Sequence, residues 1–393
     1  MPRRLASRTL PYTFALLALW AQAHAVQVDP WRGTAMAPQT RSHKVPVQRE
    51  MVAVDGRTNR VFVLARTGIR VFDAGSGMLQ RTIAISPSIG GIAVDERMGR
   101  LFVTTMGSNQ WAQGSISAID EASGAVIRTA AVDVQPQAIA LDGAAGRIFV
   151  ASRWSVSVLS ERTLSPLRTI PTVGFVSGPV AVDERRGLAA VASYAFTATG
   201  KPMLGANMVR LLDATSATVL HSIALPEGPE AVAVESRLGR VFAANADCSL
   251  IMLDERTGRL LRTTSLRPAM TCGALAVDGR TGRAFVLGYG VSGPGVETYD
   301  RFYLAVVDAR TCSLLRMRRL DALPTAVVAA PGSGHVLVVL DTAVAVLDAA
   351  DGRPVRMLTL GASIQGIALD ASARRAYVAA GDAIRIIDTR AGV

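Results

Sequence analysis

Residues that carry catalysis are scarce in this chain. Its 393 residues include four histidines and three cysteines. His24 falls in the leader described below, and His43, His221 and His335 stand at no metal-ligand spacing from a cysteine or carboxylate. A Gly-x-Ser-x-Gly elbow, a phosphate-binding glycine loop and a CxxCH haem-attachment sequence are all missing. These gaps remove the reaction classes that depend on a local motif, so no catalytic residue, cofactor or metal ligand is assigned. They leave open a site assembled from distant parts of the chain. Lysine is nearly absent as well: Lys44 and Lys201 are the only two, so the formal net charge of +11 is carried by arginine. Aromatic residues make up 5% of the chain, which makes any cluster of them informative. Beyond the N-terminus no apolar run reaches the ~18 residues that a membrane-spanning helix needs.

The N-terminus itself reads as a secretory leader. Arg3, Arg4 and Arg8 precede an apolar run from Leu10 to Trp20, and Ala23-His24-Ala25 supplies a small-x-small cleavage sequence. Residues 1–25 are expected to be removed after Ala25, with an uncleaved anchor as the alternative, and the mature protein to be periplasmic or secreted. Residues 26–43 hold Pro30, Gly33 and Pro38 without sustained periodicity and are expected to form a linker. The positive charge that remains favours acidic partners, either nucleic acid or anionic envelope polymers. The alternative is arginine scattered among carboxylates with no collective role.

What the chain does have is a repeat. An apolar strand ends in a carboxylate, a glycine turn follows, and an arginine opens a second apolar strand. Ala276-Val277-Asp278, the turn from Gly279 to Gly282, and Arg283-Ala284-Phe285-Val286 show it in full. The carboxylate recurs as Asp55, Asp95, Asp142, Asp183, Glu235, Asp278 and Asp370, with Ala330 as a degenerate member, at intervals of 40 to 52 residues. Five positions on comes Arg60, Arg100, Arg147, Leu188, Arg240, Arg283, His335 or Arg375. A fixed offset inside a variable repeat means a rigid hairpin with its insertions elsewhere, and each arginine is expected near its own carboxylate. Within a unit, four short strand-like segments are separated by turn signals, the pattern of a β-propeller blade. The third segment usually ends in aspartate, as in Asp254-Glu255-Arg256-Thr257-Gly258. There an Asx side chain accepts turn N–H groups and the glycine supplies a left-handed residue, so these aspartates are read as structural.

Together these residues resemble the YVTN-type β-propeller repeat of bacterial envelope proteins. The matching features are the apolar-Ala-Val-Asp entry, the Gly-Arg turn, the Arg-Val-Phe-Val type strand, and the strand ending in Asp before a Thr-Gly turn. The resemblance runs from about Val45 to Val393, with Phe149, Phe242 and Phe285 where that family favours tyrosine and Tyr377 keeping it. It implies an all-β fold: a single propeller over residues 44–393 with eight four-stranded blades, seven being the alternative. Five residues follow Asp388, too few for a fourth strand. Lys44 to Gln48 is therefore expected to complete the last blade against Ile384–Asp388. Such repeats share no catalytic constellation. The expected function is a ligand- or protein-binding module, monomeric and secreted. The alternatives are a propeller enzyme, either a lactonase-like hydrolase or a redox-partner subunit, and a single-stranded nucleic-acid binder.

The long insertions all fall on one face. They are Met106 to Gly114, Ser193 to Met208 and Gly288 to Phe302, each between the second and third strands of repeats two, four and six. Loops on a rigid scaffold concentrate binding residues, and these contain Trp111, Tyr194, Phe196, Lys201, Tyr289, Tyr299, Arg301 and Phe302. The alternative is that these aromatics pin long loops to the rim. At the entry to each first strand the polar residues are Glu50, Gln137, Glu230, Thr325 and Gln365. An eight-membered ring sets Glu50 opposite Glu230 across the channel mouth, with Gln137 and Gln365 between them. This is either a polar, cation-tolerant site or two solvated carboxylates too far apart to cooperate. Cys248 and Cys272 are placed on that face in adjacent repeats, where an oxidising compartment favours a disulfide. Cys312 is placed on the opposite face and is expected to be free.

Overall fold

The repeat becomes a blade because its inner strands have no polar face. The second strand of the first repeat, Arg60–Ala65, buries its four central residues, while the fourth, Leu79–Ile83, exposes most of its length. Strands apolar on both faces belong in a sheet sandwiched between two others. The computed structural model describes residues 28–30, 51–65, 68–85, 89–109, 111–172, 175–194, 206–292, 299–330, 332–370 and 372–390. Among these there is no helix, and the strands form eight sheets that follow one another in chain order. The sheets are the eight blades of a β-propeller, spanning 52–83, 89–134, 138–171, 175–224, 229–265, 271–320, 324–359 and 364–388. First strands of neighbouring blades pack on one another, so they line the axis.

Eight apolar clusters account for the ring, and each straddles one junction between blades. Phe62 and Leu64 of blade one pack with Ile92 and Leu101 of blade two. Val61 and Phe72 pack with Tyr377 and Ile384 of blade eight, which closes the circle. Phe62, Phe102, Phe149, Phe242, Phe285 and Tyr377, at equivalent places on the second strands, are all under 2% exposed. Burying one such ring contributes roughly 1.5–3 kcal/mol.

The constant offset of five is the hairpin register. Asp55 faces Arg60, Asp278 faces Arg283, and the degenerate pair Ala330 and His335 face one another in the same way. The carboxylates turn inward and cap their own turns. Asp55 accepts from Thr58 N at 2.9 Å, and Asp142 from Ala145 N at 2.8 Å. The arginines expected near their own blade's carboxylates divide: Arg240 and Arg283 pair with Asp254 and Asp308 of their own blades at 2.9 Å, while several also reach forward to the next blade. Arg60 donates to Glu121 O at 3.2 Å, Arg100 to Arg162 O at 3.0 Å, and Arg283 to Ala350 O at 3.0 Å. The first-strand carboxylates are engaged by turn N–H groups, and carbonyls at the end of the next blade's third strand lie within the arginines' reach. His335 keeps the same reach, its Nδ1 lying 2.7 Å from Thr389 O. The degenerate repeat is therefore degenerate in sequence and not in this contact.

Blade eight shows three strands among the described residues. Residues 44–48, expected to complete it, lie outside the described residues, as does most of the segment expected as linker. Within that segment Val28–Pro30 forms a short strand parallel to Met317–Arg319 on the outer edge of blade six, where an unpaired strand edge offers free backbone groups.

Every hairpin between first and second strands closes on a left-handed residue. Glycine fills most of these places; Asn59 (φ 56°) and Arg374 (φ 54°) fill two others. Asparagine tolerates that region, but arginine carries the Cβ penalty. Arg374 is exposed, so Arg374→Gly should raise stability by about 0.5–1 kcal/mol after the entropy cost of glycine. A chemical-denaturation midpoint lower than the parent's would contradict this.

Candidate binding site at the channel mouth

The face with long connections gathers side chains from three consecutive blades around Glu230. This residue enters the first strand of blade five (Pro229–Glu235), where a register shift between Pro229 and Ala231 turns it out of the regular pairing. It is half-buried, and burial pushes its carboxyl above the usual range. Tyr194 ends the second strand of blade four, and Tyr299 lies in the insertion of blade six. Both phenols are pushed up, first by burial and then by the nearby Glu230 charge.

The floor beneath Glu230 is made by small and polar residues. A Cβ on Gly228 would meet Tyr194 Cβ at 3.3 Å and Asn207 Oδ1 at 3.7 Å, so glycine is what lets these chains converge. Asn207 and Asn245 are 2% and 0% exposed, and the Oδ1 of each has no hydrogen-bond partner among the described residues. Asn245 sits opposite Pro229 in the sheet and holds Ser249 Oγ through Nδ2 at 3.0 Å. Buried amide oxygens without partners carry a desolvation cost, and they provide acceptors at the 4/5 junction. The arrangement can receive a cationic or hydrogen-bond-donating group: a half-buried carboxyl near two tyrosines, with buried, unpartnered amide oxygens in the adjoining strands.

The other residues singled out in the sequence divide into three kinds. Tyr289 is fully buried and donates to Pro324 O at 3.0 Å, tying blade six to blade seven. It is therefore a pin and not a surface residue. Tyr299 and Phe302 pack on it, with ring centroids at 5.9 and 6.4 Å. Arg301 opens the third strand of the same blade, half-buried. Trp111 is 64% exposed but stands far round the ring in blade two. There the Arg153 guanidinium lies between it, at 5.3 Å, and Trp154, at 5.1 Å. Gln137 is exposed, and Gln365 is tied to its own blade by Nε2 to Gly381 O at 2.9 Å. Phe196, Lys201 and Glu50 lie outside the described residues.

The sequence reading missed Arg153, Trp154, Asn207 and Asn245. Asn245 had a signal: it interrupts the apolar second strand Arg240–Asn245 at a fully buried position. Cys248 and Cys272 are bonded, with Cα atoms 4.6 Å apart, and they join blades five and six beside this site. Cys312 is free and buried, below the opposite face. Among the described residues no group of three or more histidine, cysteine or acidic side chains is arranged to hold a metal ion, and no helix is long and apolar enough to cross a membrane.

These features define the protein as an eight-bladed β-propeller with a polar, aromatic-rimmed mouth on its long-loop face. No protein-family model matches the chain, and no curated protein sequence matches it. Among solved structures it is similar to the computationally designed Ika8 protein, at 15% identity and TM-score 0.65, covering 87% of this chain and 98% of that one. It is also similar to the dihydro-heme d1 dehydrogenase NirN, at 13% identity and TM-score 0.63, covering 89% of this chain and 74% of that one. A third is BamB from Moraxella catarrhalis, at 14% identity and TM-score 0.60, covering 88% and 98%. At such identities the likeness is one of fold.

Proposed function

We propose that this protein is a secreted, periplasmic propeller of the YVTN type that works as a binding module through its long-loop face. The observation that carries the reading is Glu230, half-buried and close enough to Tyr194 and Tyr299 to shift both phenols, with two partnerless asparagine oxygens in the adjoining strands. A rigid ring that displays an acidic, aromatic-walled recess suits capture of a cationic group, which gains both charge and ring-face contacts. The disulfide fits an oxidising compartment. NirN is a dehydrogenase, and the same fold hosts chemistry as well as recognition; a single half-buried carboxyl beside two tyrosines favours recognition here.

The test is a thermal-shift series with calcium and with alkylammonium ions on the parent, Glu230→Gln and Tyr194→Phe. The parent's midpoint should rise with at least one cation, and Glu230→Gln should abolish that rise. An equal response of parent and Glu230→Gln to every cation would remove Glu230 from the site.

A further inference from the structure

The opposite face, with its short turns, follows a rule that the long-loop face does not. Two positions decide it at each junction: the first to second strand turn of one blade, and the residue that follows the third strand of the next. Where the next blade supplies glutamate, the turn arginine docks. Arg57 donates to Glu96 O at 2.7 Å beside Glu121. Arg97 bonds Gly143 O and lies 3.3 Å from Glu161. Arg186 donates to Ser236 O at 2.7 Å and lies 3.5 Å from Glu255.

At the next two junctions the rule is broken in one direction. Blades five and six carry turn arginines, Arg237 and Arg280, but the facing residues are Ala309 and Ala349, both 0% exposed. Neither guanidinium has a hydrogen bond or ion pair among the described residues, although Arg280 leans to within 3.1 Å of where a Cβ on Gly334 would stand. Arg185 is likewise spare, because its neighbour Arg186 does the docking. The three exposed cations line a single hollow of about 580 Å³ that runs across the turns of blades four to seven. Two buried carboxylates stand in its wall: Glu235 accepts from Arg237 N and Leu238 N, at 3.1 and 2.5 Å, and Asp278 from Arg280 N and Thr281 Oγ1, at 2.9 and 2.8 Å, so they face their own turns and the three exposed guanidinium groups leave the hollow with a positive balance. On the blade-seven side the wall is Ala329 and Gly332, with Ala330 in place of the usual carboxylate.

We propose that this hollow is a binding site for a multiply charged oxyanion, polyphosphate or polycarboxylate, with Arg185, Arg237 and Arg280 as its ligands. The anion takes the place that glutamate fills at the docked junctions. Arginine suits the role because its fork matches a phosphate or carboxylate edge, and a concave site concentrates the field of three cations. The site lies on the face away from Glu230 and is independent of the function proposed there.

The experiment is calorimetric titration of the full chain with tripolyphosphate and, separately, with citrate, at low salt. Three forms are compared: the parent, the triple variant R185A/R237A/R280A, and the charge-matched R128A/R168A/R262A on exposed outer strands. The parent should bind saturably, and the first triple should lose at least tenfold in affinity while the second stays within twofold. Binding of tripolyphosphate alone assigns phosphate, binding of citrate alone assigns carboxylate, and binding of both assigns the shared charge pattern. All three substituted side chains in the first variant are exposed, so its unliganded melting temperature should match the parent's. Absence of saturable binding to either anion, or equal losses in the two triples, overturns the proposal.

Discussion

Raising the pH from about 6 to about 9 should weaken this propeller, and the triple variant E121Q/E161Q/E255Q should resist the change. At three junctions a buried glutamate meets the aspartate that caps the preceding blade's turn: Glu121 with Asp55, Glu161 with Asp95, and Glu255 with Asp183. The six side chains are between 0% and 4% exposed. In each pair the glutamate Oε1 and the aspartate Oδ2 are buried without a partner unless a proton lies between them. Burial first, and the facing aspartate second, push Glu121 and Glu161 up to about 8. Burial and Asp183 push Glu255 up to about 7. Asp95 moves the other way: burial opposes its ionisation, but the bonds from Glu161 and Arg97 hold it below the usual carboxylate range.

The sign follows from proton counting. A glutamate raised in the folded state holds a proton that the unfolded chain has released, so its stabilising contribution is complete below the unfolded value of roughly 4.5 and is lost as pH passes 7 to 8. With the nearby arginines compensating in part, the loss should be of order 1 kcal/mol per pair. Glutamine keeps the donor and cannot ionise, so the variant's melting temperature should stay level across the window in which the parent's falls. A parent curve as flat as the variant's would mean that the pairs share no proton.

Removing the bridge between Cys248 and Cys272 should cost more than any single contact. The bond closes a separation of 24 residues that contains the two outer strands of blade five, and both cysteines are at most 1% exposed. In the chain-entropy account the double replacement C248A/C272A should lower unfolding free energy by about 3 kcal/mol. Cys312→Ala should cost less, since it removes one buried thiol near Leu250 O and no link. Denaturant midpoints measure both, and thiol titration of the unfolded, unreduced parent should find one free group. Three free groups would sink the assignment.

The fold was legible because its determinants are local. A turn cap three residues from its carboxylate and a five-residue register write themselves into the sequence at every repeat, and alternation of wholly apolar with half-exposed strands places each one in the sheet. The sites were less legible because they depend on pairs of blades. Whether an arginine docks or stays free is decided by Glu121 or Ala309 on the following blade, and nothing near Arg57 or Arg237 in the sequence announces it. Tyr289 and Tyr194 look alike as loop aromatics. They even hold the same place on their second strands, six residues after Arg283 and Leu188, yet the first is sealed by Pro324 of the next blade and the second stands beside Glu230. Trp111 was visible as an exposed ring, while the Arg153 stack that holds it required knowing that the loops of blades two and three meet.

The eight apolar clusters carry a consequence for how the ring fails. Each belongs half to one blade and half to the next, so no blade owns a core and none is a folding unit by itself. The natural unit of cooperativity is the seam. Opening one seam leaves an arc whose two end blades each show a bare apolar face, and the arc has no way to share that exposure among the other seven. Deleting a blade therefore removes two seams and must create one between surfaces that have never met, which only matched side-chain shapes permit. Amide exchange should accordingly group by seam: central-strand amides of Phe62 and Leu101, in different blades, should open together, while inner- and outer-strand amides of one blade part company.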